Sequence, residues 1–165
     1  EIICSEIGQE PEMVVLLFAN TPAIDAKLIE KGIEELRNDL SFDSCFSIVK
    51  YNMFSPTRAK KIENGKLVPF VDPSYFGDVN SIRSSQGDVY FADLSVQILR
   101  PTCFVDMENG TPPLQWMGKK TFGIETDFGF DLDEEWQIPV LEYWLKKRGF
   151  SETDTPYEDQ NLVNS

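Results

Sequence analysis

The chain has 165 residues, enough for one domain with a sizeable core, and its 41% hydrophobic and 12% aromatic content is that of a folded protein. With 15 Lys and Arg against 28 Asp and Glu, the net charge is −13, which argues against nucleic acid or an anionic membrane surface as the partner. There is no histidine, so Ser-His-Asp and Cys-His catalysis, His-metal sites and imidazole switching are all excluded.

The chain opens at Glu1 on Ile2-Ile3-Cys4, which reads as the middle of an element, so residues are expected upstream. Met13 to Ala19 is a continuous apolar run of strand length, read as a strand buried on both faces. At seven residues it is far too short to span a bilayer. Asn20-Thr21-Pro22 breaks it, and Ile24, Leu28, Ile29, Ile33 and Leu36 then recur at helical spacing, predicting an amphipathic helix over 23–39. Ser44 to Lys50 is a second strand, so residues 13–50 read as a β-α-β unit with parallel pairing and a right-handed crossover. Residues 51–85 are rich in Pro, Gly, Asn and Ser, with a hairpin predicted at Asn64-Gly65 between Lys61-Ile62 and Leu67-Val68.

Asp88 to Ala92 is a further strand, followed by a short helical pattern over Leu94 to Leu99. Thr121 to Thr126 is the next strand candidate, and residues 131–148 end in a helix with Lys146, Lys147 and Arg148 in its last turn and Pro139 at its start or at a kink. The polar composition of 151–165 predicts a mobile tail beyond a domain spanning 1–150. Alternating strands and helices give an α/β layered domain. Cys4, Cys45 and Cys103 form no C-x-x-C pair and sit among apolar neighbours, so they read as reduced core thiols, which suits a cytoplasmic protein.

Ligands of open α/β sheets bind at the carboxyl ends of the strands. Asn20-Thr21-Pro22 stands at such an end and is either an anion-binding helix start or plain N-capping by Thr21. Glu125-Thr126-Asp127 stands at another. Two carboxylates at i and i+2 on extended chain face one side and suit Mg²⁺ or Mn²⁺; the alternative is a solvated acidic loop leading to an Asp131-x-x-Glu134 capping box, with Asp131 and Asp133 as caps. Arg83-Ser84-Ser85-Gln86-Gly87 offers an arginine for a carboxylate or phosphate and a glycine for close backbone approach. Lys119-Lys120 reads as an exposed pair.

In order and spacing over residues 12–150, these segments resemble the acylneuraminate cytidylyltransferase family, which includes the CMP-sialic acid and CMP-KDO synthetases. Leu16-Leu17-Phe18-Ala19-Asn20-Thr21-Pro22 is similar to the family's L-L-Q-P-T-S-P, and Arg83 to Tyr90 is similar to R-x-N-G-A-I-Y. Ile124-Glu125-Thr126-Asp127-Phe128-Gly129-Phe130-Asp131 resembles I-D-I-D-T-x-x-D, which supplies the metal carboxylates. Ser55-Pro56-Thr57-Arg58 falls in the variable piece between them. Phe18 stands where the family has its sugar-contacting glutamine, Gln86 where it has Asn, and Glu125 where it has Asp.

The resemblance implies a three-layer, nucleotide-diphospho-sugar-transferase-like (Rossmann-like) domain whose first strand and basic glycine-rich phosphate loop are expected ahead of residue 1. It implies attack of a sugar-acid hydroxyl on the α-phosphate of CTP, with Mg²⁺ (or Mn²⁺) on Glu125 and Asp127, and Asp127 as the catalytic carboxylate. Substrate would be bound by Asn20, Thr21, Arg58, Arg83, Gln86, Gly87 and Tyr90. It also implies a homodimer that exchanges contacts near the aromatic segment Val71 to Asn80. The alternatives are a non-catalytic relative acting as a binding or regulatory module, and another sugar-nucleotide enzyme of the same layered fold.

Overall fold

The computed structural model describes residues 5, 6 and 8–153. Cys4 and most of the polar tail lie outside the described residues.

Strand β1 (Val14–Leu16) leads to helix α1 (Ala26–Asn38), and strand β2 (Ser44–Lys50) follows. The hairpin β3 (Lys60–Glu63) and β4 (Lys66–Pro69) stands apart as a two-stranded sheet. Asn64 and Gly65 both have positive φ, 52° and 76°, as the tight turn foreseen from Asn-Gly requires. After short 3₁₀ turns at Pro73–Phe76 and Arg83–Gln86, the long strand β5 (Tyr90–Leu99) crosses the core. Helix α2 (Thr102–Val105), strand β6 (Thr121–Thr126) and helix α3 (Gln137–Lys147) complete the chain. The result is an α/β fold on a mixed sheet.

The sheet order is β1-β5-β2-β6. β5 runs antiparallel to both β1 and β2, and β2 pairs with β6 in parallel. β1, β2 and β6 therefore point the same way, and their carboxyl ends lie along one edge. Alternation along the paired strands divides the core between the two faces of the sheet. Cys45, Val96, Ile98 and Ile124 pack under Leu28, Ile29, Ile33 and Leu36 of α1. Phe46 and Leu99 point the other way, onto Cys103 of α2 and onto Trp116 and Met117.

Four expectations are corrected. The stretch 94–99 is strand, not helix: Val96 and Ile98 alternate with Ser95 and Gln97, and a strand between two neighbours buries both sets. β1 and β2 share a direction but do not pair, because β5 lies between them. This leaves β1 at the sheet edge with Val15 and Leu17 exposed, not buried on both faces. Helix α1 starts at Ala26, and its cap is Asp25, whose carboxylate accepts from the Lys27 N–H at 2.8 Å; Thr21 is not the cap.

Nor does the Asp131-x-x-Glu134 box form. The Gln137 side-chain oxygen instead accepts from the backbone N–H groups of Asp133 and Glu134, both at 2.7 Å, from inside the first turn of α3. Pro139 sits in that same turn, where its missing N–H costs nothing. No described helix is long and apolar enough to cross a membrane.

Candidate functional site

The shared edge of β1, β2 and β6 gathers Asn20, Tyr51 and the segment 125–133. Asn20 is tied to that segment twice: its amide donates to Asp133 Oδ1 at 3.1 Å, and its carbonyl accepts from the Leu132 N–H at 2.7 Å. Thr21 is fully buried, its hydroxyl donating to the Phe18 carbonyl at 2.7 Å, so it shapes the turn and presents nothing to a ligand.

Glu125 and Asp127 do face one side, lining a common cavity of about 200 Å³ with Asp25 and Arg148. That cavity already holds a positive charge. Arg148 donates to Asp127 at 2.6 Å, lies 3.8 Å from Asp25, and stacks over the Trp144 ring with its guanidinium 4.7 Å from the centroid. Glu125 is in turn 3.8 Å from the Lys50 ammonium. Among the described residues, no three His, Cys, Asp or Glu side chains gather closely enough to hold a metal ion. The two carboxylates are thus engaged by cations of the chain itself.

Tyr90 belongs to a second group. Lys50 lies 5.3 Å from its ring centroid and 3.0 Å from Asp88, which also accepts from Asn52 at 2.9 Å. The Asn52 and Lys50 hydrogen bonds hold the Asp88 carboxyl below its ordinary value, with a weaker contribution from the charge of Arg83. Asp88 and Tyr90 together hold Lys50 charged well above the usual lysine range.

Arg58 and Gln86 form a third. Arg58 Nε donates to Gln86 Oε1 at 3.0 Å, Thr57 donates to the same oxygen at 3.1 Å, and the Gln86 amide donates to the Asn80 carbonyl at 3.0 Å. They line an open cavity of about 460 Å³ with Lys60, Val79 and Ser81. Arg83 opens the 3₁₀ turn that carries Gln86, and Gly87 closes it at φ 71°, a conformation that favours glycine.

The sequence reading missed a cleft of about 320 Å³ beside the carboxyl ends of β2 and β6. Its walls include Tyr51, Phe54 and Phe91, whose rings meet at centroid distances of 6.0–6.4 Å, and the carboxylates Asp93, Asp131 and Asp133. Asp93 reaches it through an irregularity in β5. Phe46 pairs with Gln97 and Ile48 with Ala92, so residues 93–96 stand opposite Ser47 alone. Such a bulge re-aims a side chain.

The strained point of the bulge is Leu94, at φ 61°, a conformation that costs a non-glycine residue roughly 1–3 kcal/mol. The buried Gln97 amide holds its carbonyl at 3.1 Å. Asp93 is 4% exposed; Ser95 donates to its Oδ2 at 2.6 Å, while its buried Oδ1 has no hydrogen-bond partner among the described residues. Gly129 packs so closely that an added Cβ would fall 1.7 Å from Asp93 Oδ2. Burial, then repulsion from Asp133 and Asp93, pushes the Asp131 carboxyl above its ordinary value.

Periodicity could not have found Asp93, because the bulge is a tertiary event. The signals available were an acidic residue within an apolar strand and the pair Asp131 and Asp133, which read as caps. Compared with the known protein families and with curated proteins, the chain matches no family model and no curated protein.

Proposed function

We propose that this chain acts in the CTP-dependent activation of an acidic sugar of the sialic-acid or KDO type, giving a CMP-sugar and pyrophosphate. The observation that carries this reading is the meeting of Arg58 and Gln86. They lie 28 residues apart in sequence, and the resemblance gives both to the substrate; here they share a hydrogen bond in one open cavity. Arg58, with Lys60 beside it, suits a carboxylate or phosphate, and Gln86 suits sugar hydroxyls. The convergence of three strand ends on one edge gives further support, since that is where open α/β sheets bind ligands.

The finer fold assignment, a three-layer nucleotide-diphospho-sugar-transferase-like domain, belongs to the same proposal and is supported by the cover on both faces of the sheet. So does the homodimer: Ile62 and Leu67, paired across the β3–β4 arm, and Phe70 and Tyr75 beyond it are exposed and leave apolar surface for a second copy. Mg²⁺ or Mn²⁺ enters as the companion of the triphosphate. Arg148 and Lys50 already engage Asp127 and Glu125, so these two carboxylates do not fit as its ligands in this arrangement.

The test is calorimetric titration of the full chain with CTP, with and without Mg²⁺, and with N-acetylneuraminate and KDO. CTP and one acid are expected to bind, and Arg58→Ala should weaken the acid by about tenfold, the value of a charge-assisted hydrogen bond. Absence of both bindings sinks the reading. The runner-up, a non-catalytic binding module, is favoured by the Arg148–Asp127 pair. It takes over if both ligands bind and no pyrophosphate is released.

A further inference from the structure

The acidic aromatic cleft has a composition that constrains its ligand. We propose that it binds a small organic cation, a primary ammonium group on an apolar frame, with Asp93 as the counter-charge and the Tyr51, Phe54 and Phe91 rings as its walls.

Three observations carry this. The first is Asp93 itself, 96% buried, lining the cleft, with Ser95 satisfying one carboxylate oxygen and nothing among the described residues satisfying the other. A buried acceptor without a donor is costly, and Asp93 stands in the wall of the cleft, so a small movement of the wall brings that oxygen within reach of a donor bound there. The second is charge. Asp93, Asp131 and Asp133 all line the cleft, and among the described residues no lysine or arginine lines it. A neutral hydroxyl would supply a hydrogen but leave this charge uncompensated, whereas an ammonium supplies both.

The third is the wall. Phe54 and Phe91 are 57% and 40% exposed although both lie in the ring cluster, so their apolar surfaces stand open. Aromatic surfaces attract organic cations through the ring quadrupole and cover their alkyl portions. A hard divalent cation instead seeks oxygen ligands and keeps its waters, which these rings cannot replace.

The bulge and Gly129 make the arrangement specific. Without the extra residues opposite Ser47, Asp93 would follow the ordinary strand alternation, and any side chain at 129 would displace its carboxylate. The inference needs the cleft but not the nucleotide chemistry proposed above, and the two fail separately.

The experiment titrates the full chain, free of nucleotide, with n-butylammonium chloride, n-butanol and MgCl₂, following ¹⁵N–¹H shifts of the Leu94 and Gly129 amides and the heat of binding. Butylammonium is expected to bind and to move both amides, and butanol to bind at least about tenfold more weakly, the loss of one hydrogen bond to a charged group. Asp93→Asn, which keeps the shape and removes the charge, should weaken butylammonium by about tenfold or more. Should that variant fail to fold, Phe54→Ala, at an exposed position, should weaken it several-fold. Equal binding of butanol, no binding of butylammonium, or binding of Mg²⁺ at these amides in its place would each overturn the proposal.

Discussion

Gly32 lies on the face of α1 that meets the sheet, and it sets how closely the helix can approach. A Cβ added there would fall 2.3 Å from Ile98 Cδ1 and 3.1 Å from both Cys45 Sγ and Ile124 Cδ1. Carbon atoms in contact prefer about 3.5–4.0 Å, so Ile98 Cδ1 must retreat by more than 1 Å, roughly, in Gly32→Ala. Ile98 is fully buried among Leu36, Cys45, Val96 and Ile124, so the methyl has little room to move. Overpacking of this kind costs about 1–3 kcal/mol, while replacing a helical glycine by alanine returns about 1 kcal/mol.

The expected net loss for Gly32→Ala is therefore about 0–2 kcal/mol, a fall of up to several degrees in Tm for a chain of this size. Ile98→Val removes the clashing atom and alone costs about 0.5–1.5 kcal/mol. In the double variant the alanine methyl occupies the space that the Ile98 methyl leaves. The pair should then be less destabilised than the sum of the singles by about 1 kcal/mol or more. Urea denaturation of the four proteins at constant m measures this directly. Additivity within about 0.5 kcal/mol, or a stabilising Gly32→Ala, would refute the packing argument.

Gln97 is buried with both ends of its amide used, accepting from Trp116 Nε1 at 2.9 Å and donating to the Leu94 carbonyl at 3.1 Å. Gln97→Leu should cost about 2–4 kcal/mol by orphaning both partners, and it should shift tryptophan emission; unchanged stability and spectrum would remove the proposed support of the bulge. Burial, and then the charge of Glu35, pushes the Cys45 thiol up to about 12, and burial raises Cys103 as well. In a Cys4→Ser variant at pH 8, Ellman's reagent should react only as the protein unfolds, and prompt native-state labelling would contradict the burial.

The raised Asp131 makes a pH-dependent contribution of definite sign. Above the unfolded carboxyl value, near 3.9, the native state holds more proton at this site than the unfolded state. The contribution favours folding below that value and is lost as pH rises through the elevated native value. Relative to wild type, Asp131→Asn should therefore gain stability between pH 4 and pH 7; a flat difference across that range would exclude the effect.

Much of the local structure was legible in the sequence. Asn64-Gly65 fixed a turn with two positive φ angles, the spacing of Ile29, Ile33 and Leu36 fixed the buried stripe of α1, and Cys45 and Cys103 announced themselves as core by their apolar neighbours. The convergence of strand ends was readable too, because Asn20 and the 125–133 segment each follow an apolar run. Arg58 and Gln86 were each found as polar residues on loops, but nothing local joins residues 28 apart.

What only the tertiary structure decided concerns neighbours. Leu94 to Leu99 has apolar residues that fit a helix or a strand about equally, and its place between β1 and β2, where both faces are buried, settles it. Arg148 reached Asp127 and Asp25 from a helix end more than 20 residues away and filled the cavity that the Glu125–Asp127 spacing suggested for a metal. Asp93 became a cleft residue because β5 carries more residues than β2 can pair. Periodicity reports which side of its own element a residue occupies; register and crossover determine what that side meets.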